Sequence, residues 1–169
     1  MIIGIDPGKK GGCVLLDRDA NPIDWLAADH ADDGYCKSGV YFPRLMAAWV
    51  AGEGGREPVR LVVIEQQQAR PIEGRSSCLA TGRGQGLWEG ICAASGCPYL
   101  LVSPGKWTRT ILGSMPKGTD RKARAIAMAL ERLPDLPLTW GRRRKPHDGL
   151  ADAACLALFG LKQFSTAAA

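Results

Sequence analysis

Two apolar runs in this chain each end in an acid. Ile2-Ile3-Gly4-Ile5 leads into Asp6, and Leu61-Val62-Val63-Ile64 leads into Glu65. Continuous, largely β-branched runs of this length read as strands covered on both faces of a sheet. A carboxylate at the end of such a strand is expensive unless something neutralises it. If the two strands are parallel neighbours, Asp6 and Glu65 meet at one sheet edge. A second acidic pair follows in His147-Asp148-Gly149-Leu150-Ala151-Asp152. Asp148 and Asp152 are four residues apart, so a helix puts them on one face. Cys155 and Phe159 continue that face as an inward stripe. Each acid has a plainer reading. Asp6 can open a turn before Pro7-Gly8, Glu65 can be a surface residue past a strand, and Asp148 can cap a helix. Taken as a set, four carboxylates match the charge of two Mg²⁺ ions, which is the donor set of two-metal phosphodiester chemistry.

The rest of the chain supplies the frame for these acids. Strands are expected at 1–6, 13–17, 22–28 (an edge), 59–65 and 99–102. Helices are expected at 41–51, with Leu45, Ala48 and Trp49 on one face, and at 76–94. Two more are expected from a Thr119 or Asp120 cap through Leu133, and from about Pro146 to Phe164. Residues 29–39 and 66–75 read as polar loops. Gly82, Gly84, Gly86 and Gly90 weaken the 76–94 helix by about 1 kcal/mol each, which is tolerable if another backbone packs closely there. A hairpin followed by strand–helix units gives an α/β fold, a mixed five-stranded sheet flanked by helices.

A chain of 169 residues with 46% hydrophobic and 23% charged residues fits a single domain with a real core. It is expected to span residues 1–166, with 167–169 as a flexible tail. No apolar stretch reaches the roughly 18 residues of a membrane span, and the first residues do not read as a secretory signal. Six cysteines without a Cys-x-x-Cys pair, beside two histidines, argue against structural zinc or a disulfide framework. They are expected to be buried thiols in a reducing cytoplasm. Residues 103–147 hold eleven Lys/Arg against three Asp/Glu, whereas residues 1–60 hold seven against nine. That one-sided excess suits a polyanion such as nucleic acid, although a solvated basic face gives the same count. Two clusters stand out: Lys117, Arg121, Lys122 and Arg124 at the start of a helix, and Arg142-Arg143-Arg144-Lys145 before the acidic helix. Trp107 and Trp140, interleaved with these charges, are either core residues or platforms for unpaired bases.

Four segments resemble, in order, the RuvC family of Holliday junction resolvases: Gly4-Ile5-Asp6-Pro7-Gly8, Val63-Ile64-Glu65-Gln66, Ser103-Pro104-Gly105-Lys106-Trp107 and the Ala151-Asp152-Ala153 helix. The resemblance implies a ribonuclease H-like fold and a homodimer that makes paired, symmetric nicks in four-way DNA junctions. It implies two Mg²⁺ ions per site, with Mn²⁺ able to substitute. Asp6, Glu65 and Asp152 match three of the family's catalytic acids. Many bacterial members carry the fourth ligand three residues before the last Asp, where this chain has Gly149. Phage and fungal mitochondrial relatives carry it four residues before, which selects Asp148, with His147 as the backup. Lys106, the two basic clusters, and Arg70 and Arg75 of the 66–75 loop are expected to hold DNA. The rival readings are a broader branched-DNA or flap nuclease, a junction-binding protein that does not cut, and an ATPase sharing the first loop.

Overall fold

The computed structural model describes residues 1–52, 56–68 and 74–167. Its central sheet comprises β1 (Ile2–Asp6), β2 (Gly12–Leu16), β3 (Pro22–Ala27), β6 (Leu61–Glu65) and β7 (Tyr99–Val102), in the order β3-β2-β1-β6-β7. The β1–β2 and β2–β3 pairs are antiparallel, while β1–β6 and β6–β7 are parallel. The sheet is therefore mixed, with β1 at its centre and β3 at one edge. A two-stranded hairpin, β4 (Cys36–Lys37) with β5 (Val40–Tyr41), lies outside it. The helices are α1 (Pro43–Ala51), α2 (Arg75–Ala94), α3 (Pro104–Ile111), α4 (Arg121–Arg132) and α5 (Asp148–Ala167).

Strand alternation divides the core into two layers. Ile3, Ile5, Leu15, Val62 and Ile64 pack with Met46, Val50, Trp88 and Cys92, under α1 and α2. Val14 and Leu16 face the other way, against Leu150, Ala151, Ala154 and Ala157 of α5. Val63 joins Trp107, Cys155 and Phe159 on that same side. By the same parity, Asp6 follows Gly4 and Glu65 follows Val63, so both acids belong to the α5 side of the sheet.

Helix α5 reaches that side unusually closely because β1 presents a glycine to it. A Cβ on Gly4 would sit 2.1 Å from the Ala153 carbonyl oxygen and 2.3 Å from the Ala157 nitrogen. The start of α5 is docked in the same way. Gly149 bridges Gly11, and a Cβ on Gly149 would lie 2.2 Å from the Lys10 carbonyl oxygen. The alanines at 151, 153, 154 and 157 on α5 are all fully buried and small enough to permit this approach.

Several sequence expectations need correction. Helix α1 begins after Tyr41, which belongs to β5. Its fully buried residues are Met46 and Val50, with Ala48 exposed. Only Gly84 of the α2 glycines meets a close neighbour, since its Cβ would lie 2.4 Å from the Pro7 carbonyl oxygen. At Gly82, Gly86 and Gly90 no described atom comes within 4 Å of that position. Helix α3 and the β4–β5 hairpin are additions. Asp120 is the cap of α4, accepting from the backbone N–H of Lys122 at 2.9 Å and Ala123 at 3.3 Å. Among the described residues, no helix is long and apolar enough to cross a membrane.

Candidate active site

The parallel register of β1 and β6 pairs Ile5 with Ile64, so Asp6 and Glu65 leave adjacent strands at the same end. Asp148 and Asp152, on the first turns of α5, face them across a cleft of about 570 Å³. Gly8, Lys10, Gly11, Gln66–Gln68, Pro104, Arg121, Lys122 and Gly149 complete its lining. Three separate elements thus bring together the four acids.

Each acid sits in a distinct environment. Asp6 Oδ1 accepts the Gly8 N–H at 3.1 Å, so Asp6 also shapes the Pro7-Gly8 turn. Burial, then the nearby charges of Glu65 and Asp152, push the Asp6 carboxyl up to about 8. Glu65 is buried and held on both oxygens. The Trp107 indole N–H donates to Oε1 at 2.9 Å, and Gln67 Nε2 donates to Oε2 at 3.1 Å. Asp152 is also buried, with Oδ2 3.2 Å from an Arg121 guanidinium nitrogen. Its Oδ1 is buried with no hydrogen-bond partner among the described residues. Burial raises Asp152 to about 7, against the opposing pull of Arg121. Burial would raise Asp148 too, but the hydrogen bond and charge of Lys122 outweigh it and hold that carboxyl below its ordinary value.

Arg121 and Lys122 are therefore cleft residues, where the sequence suggested a DNA-facing cluster. Arg121 also approaches Glu65 at 4.0 Å and lies over the Trp107 ring. These cations neutralise part of the acidic cluster, and among the described residues no three acidic or imidazole groups are arranged to enclose an ion. The donor set nonetheless fits a hard divalent cation. It is all oxygen, and it holds one orphaned buried carboxylate oxygen on Asp152.

His147 is turned away from the cleft. Its Nδ1 accepts the Leu150 N–H at 2.8 Å, capping α5, and its Nε2 lies 2.9 Å from Asp29 Oδ1. Both ring nitrogens are thus engaged, and His147 is not part of the cleft lining, whereas Asp148 is. Arg143 is paired with the other Asp29 oxygen at 2.9 Å and stacks on Trp140. Trp107 is fully buried and cannot stack on a base. Lys106, Lys117, Arg124, Arg142, Arg144, Lys145 and Arg75 are exposed and outside the cleft. Arg70 lies outside the described residues. Lys10 and the Gln66–Gln68 run are cleft residues that the sequence reading missed. Their signal was position alone, immediately after the two acidic strand ends.

The mixed α/β fold that carries this cleft is shared with solved RuvC structures. A Thermus thermophilus RuvC structure matches with a TM-score of 0.64 and 18% identity, covering 98% of this chain and 96% of that one. T. thermophilus RuvC in complex with a Holliday junction substrate matches with a TM-score of 0.64 and 16% identity, over 97% and 94%. The yeast mitochondrial Holliday junction resolvase matches at 0.52 and 15%, over 98% and 83%. No protein-family model matches the sequence, and no curated protein sequence does.

Proposed function

We propose that this chain is a divalent-metal-dependent endonuclease that cuts four-way DNA junctions by paired nicks, working as a homodimer. The observation that carries the reading is the convergence of Asp6, Glu65, Asp148 and Asp152 in one cleft, on a fold shared with RuvC along nearly its whole length. Divalent ions held by these acids would activate water for attack on phosphorus and offset charge on the leaving 3′ oxygen. Mg²⁺ suits oxygen donors, with Mn²⁺ as a substitute. Asp6, at the end of the central strand, would hold the ions together with Glu65 and the α5 pair, and their positive charge would favour its ionised form. Lys10, on the cleft wall, is placed to meet a backbone phosphate, while the exposed cations of 106–145 hold the flanking duplex.

The pairing of Arg121 with Asp152 and of Lys122 with Asp148 favours a second reading, a junction-binding protein that does not cut. Cleavage of a labelled immobile junction in Mg²⁺, beside flap and duplex controls, separates the two. The nuclease reading expects symmetric nicks confined to the junction, which Asp6→Asn abolishes. Nicking of every branched form would make it a broader nuclease. Tight binding without cleavage in Mg²⁺ or Mn²⁺ would leave only the binding protein.

A further inference from the structure

We infer that Trp107 is a positioning residue for Glu65: its indole N–H, acting with the Gln67 amide, fixes the orientation in which that carboxylate meets a divalent ion. The inference rests on the metal-dependent reading above. Glutamate has three side-chain torsions, and an unrestrained one at a strand end samples several rotamers. Here each oxygen has its own donor, from opposite sides. Trp107 comes from α3 and reaches Oε1 at 2.9 Å. Gln67 reaches Oε2 at 3.1 Å. Gln67 is itself anchored, because its backbone N–H donates to Gln85 Oε1 at 2.7 Å. Gln85 Nε2 in turn donates to Glu89 Oε1 at 2.6 Å. The clamp thus runs from α3 through Glu65 to α2.

Hydrogen-bonded indoles are not the rule in this core. The Trp49 and Trp88 N–H groups are buried with no partner among the described residues. Trp107 is equally buried, yet its N–H is aimed at an acid. Arg121 lies over its ring, 5.4 Å from the centroid, so the same indole also backs the cation paired with Asp152. A carboxylate oxygen that accepts one hydrogen bond keeps lone-pair capacity for a metal. The clamp therefore orients Glu65 without saturating it, as outer-shell donors do for metal-ligating carboxylates.

The test uses the full chain and Mg²⁺ alone as the probe. In ¹⁵N-labelled protein the Trp107 indole N–H signal is the one missing from Trp107→Phe. It should shift on Mg²⁺ titration, with a midpoint matching that for junction cleavage. Trp107→Phe should need ~10-fold more Mg²⁺ for half-maximal cleavage, with junction binding in EDTA unchanged. Gln67→Met, which removes the other donor from a loop, should raise the midpoint in the same direction and covers the case in which Trp107→Phe fails to fold. An unmoved indole signal during Mg²⁺-supported cleavage, with both variants keeping the wild-type midpoint, overturns the clamp and leaves the nuclease reading standing. A Mg²⁺-dependent shift in a protein that cuts nothing supports the clamp and overturns the nuclease reading.

Discussion

Removing a candidate catalytic acid should make the metal-free protein more stable. Asp6 holds its proton to about pH 8 in the folded chain, against an ordinary value of 3.8, because burial and then Glu65 and Asp152 oppose its charge. A folded-state value above the unfolded one means stability that is complete below about pH 4 and is lost as pH rises through 8. Above pH 8 the penalty for ionising Asp6 has a ceiling of about 6 kcal/mol. Water in the open cleft and the nearby cations reduce this, and ~2 kcal/mol is the magnitude to expect. Asn keeps an oxygen for the Gly8 N–H and carries no charge. In EDTA at pH 8, Asp6→Asn should therefore melt roughly 4–8 °C above wild type, with the gap closing toward pH 4. Mg²⁺ should reverse the order by stabilising wild type alone. Thermal denaturation of both proteins at several pH values, with and without Mg²⁺, reads all of this. A variant less stable than wild type at pH 8 in EDTA, or a gap that does not change with pH, would refute the reasoning.

Three further perturbations have defined outcomes. Arg121→Ala leaves buried Asp152 without its cation and should lower metal-free stability by ~1–3 kcal/mol in urea denaturation, with Mg²⁺ restoring part of the loss. Gly4→Ala drives a methyl group into the backbone of α5. It should cost more than ~3 kcal/mol or abolish folding, measurable as a lost cooperative thermal transition. Gly82→Ala and Gly86→Ala fill open positions on α2 and should each stabilise the monomer by ~0.5–1 kcal/mol. If the proposed homodimer closes on that glycine face, the same changes weaken association in sedimentation equilibrium.

The sheet was readable in advance because apolar β-branched runs are long enough to establish a period, and both acidic strand ends followed from it. The β4–β5 hairpin was not, because two residues per strand show no alternation. Helix α3 has no place among the sequence expectations because its first turn holds Pro104 and Gly105, although Pro is well suited to that position. On α1 the inward stripe was placed on Leu45, Ala48 and Trp49; Leu45 and Trp49 do pack against the core, but Met46 and Val50 are its fully buried members and Ala48 faces out. The four acids came together where strand parity and the four-residue spacing put them. Sequence placed Arg121 and Lys122 in a basic cluster without their carboxylate partners, because charge counting cannot tell a cation facing DNA from one facing a carboxylate. One signal was available. Both sit on the first turn of α4, where the helix dipole disfavours positive charge, so a nearby anion was needed. The role of His147 as a cap depends on Asp29, 118 residues away in sequence, a relation no local pattern contains.

The glycine seam between β1 and α5 sets the gauge of the cleft. Asp6 is carried by β1 and Asp148 and Asp152 by α5; backbone meets backbone at Gly4, against Ala153 and Ala157, and at Gly149, against the Lys10-Gly11 turn that follows β1. A side chain at Gly4 or Gly149 would lie in the joint, so these glycines, with the small alanines of α5, set the spacing between the acids. For a designer, the two glycines and the four buried alanines of α5 are the positions to leave alone.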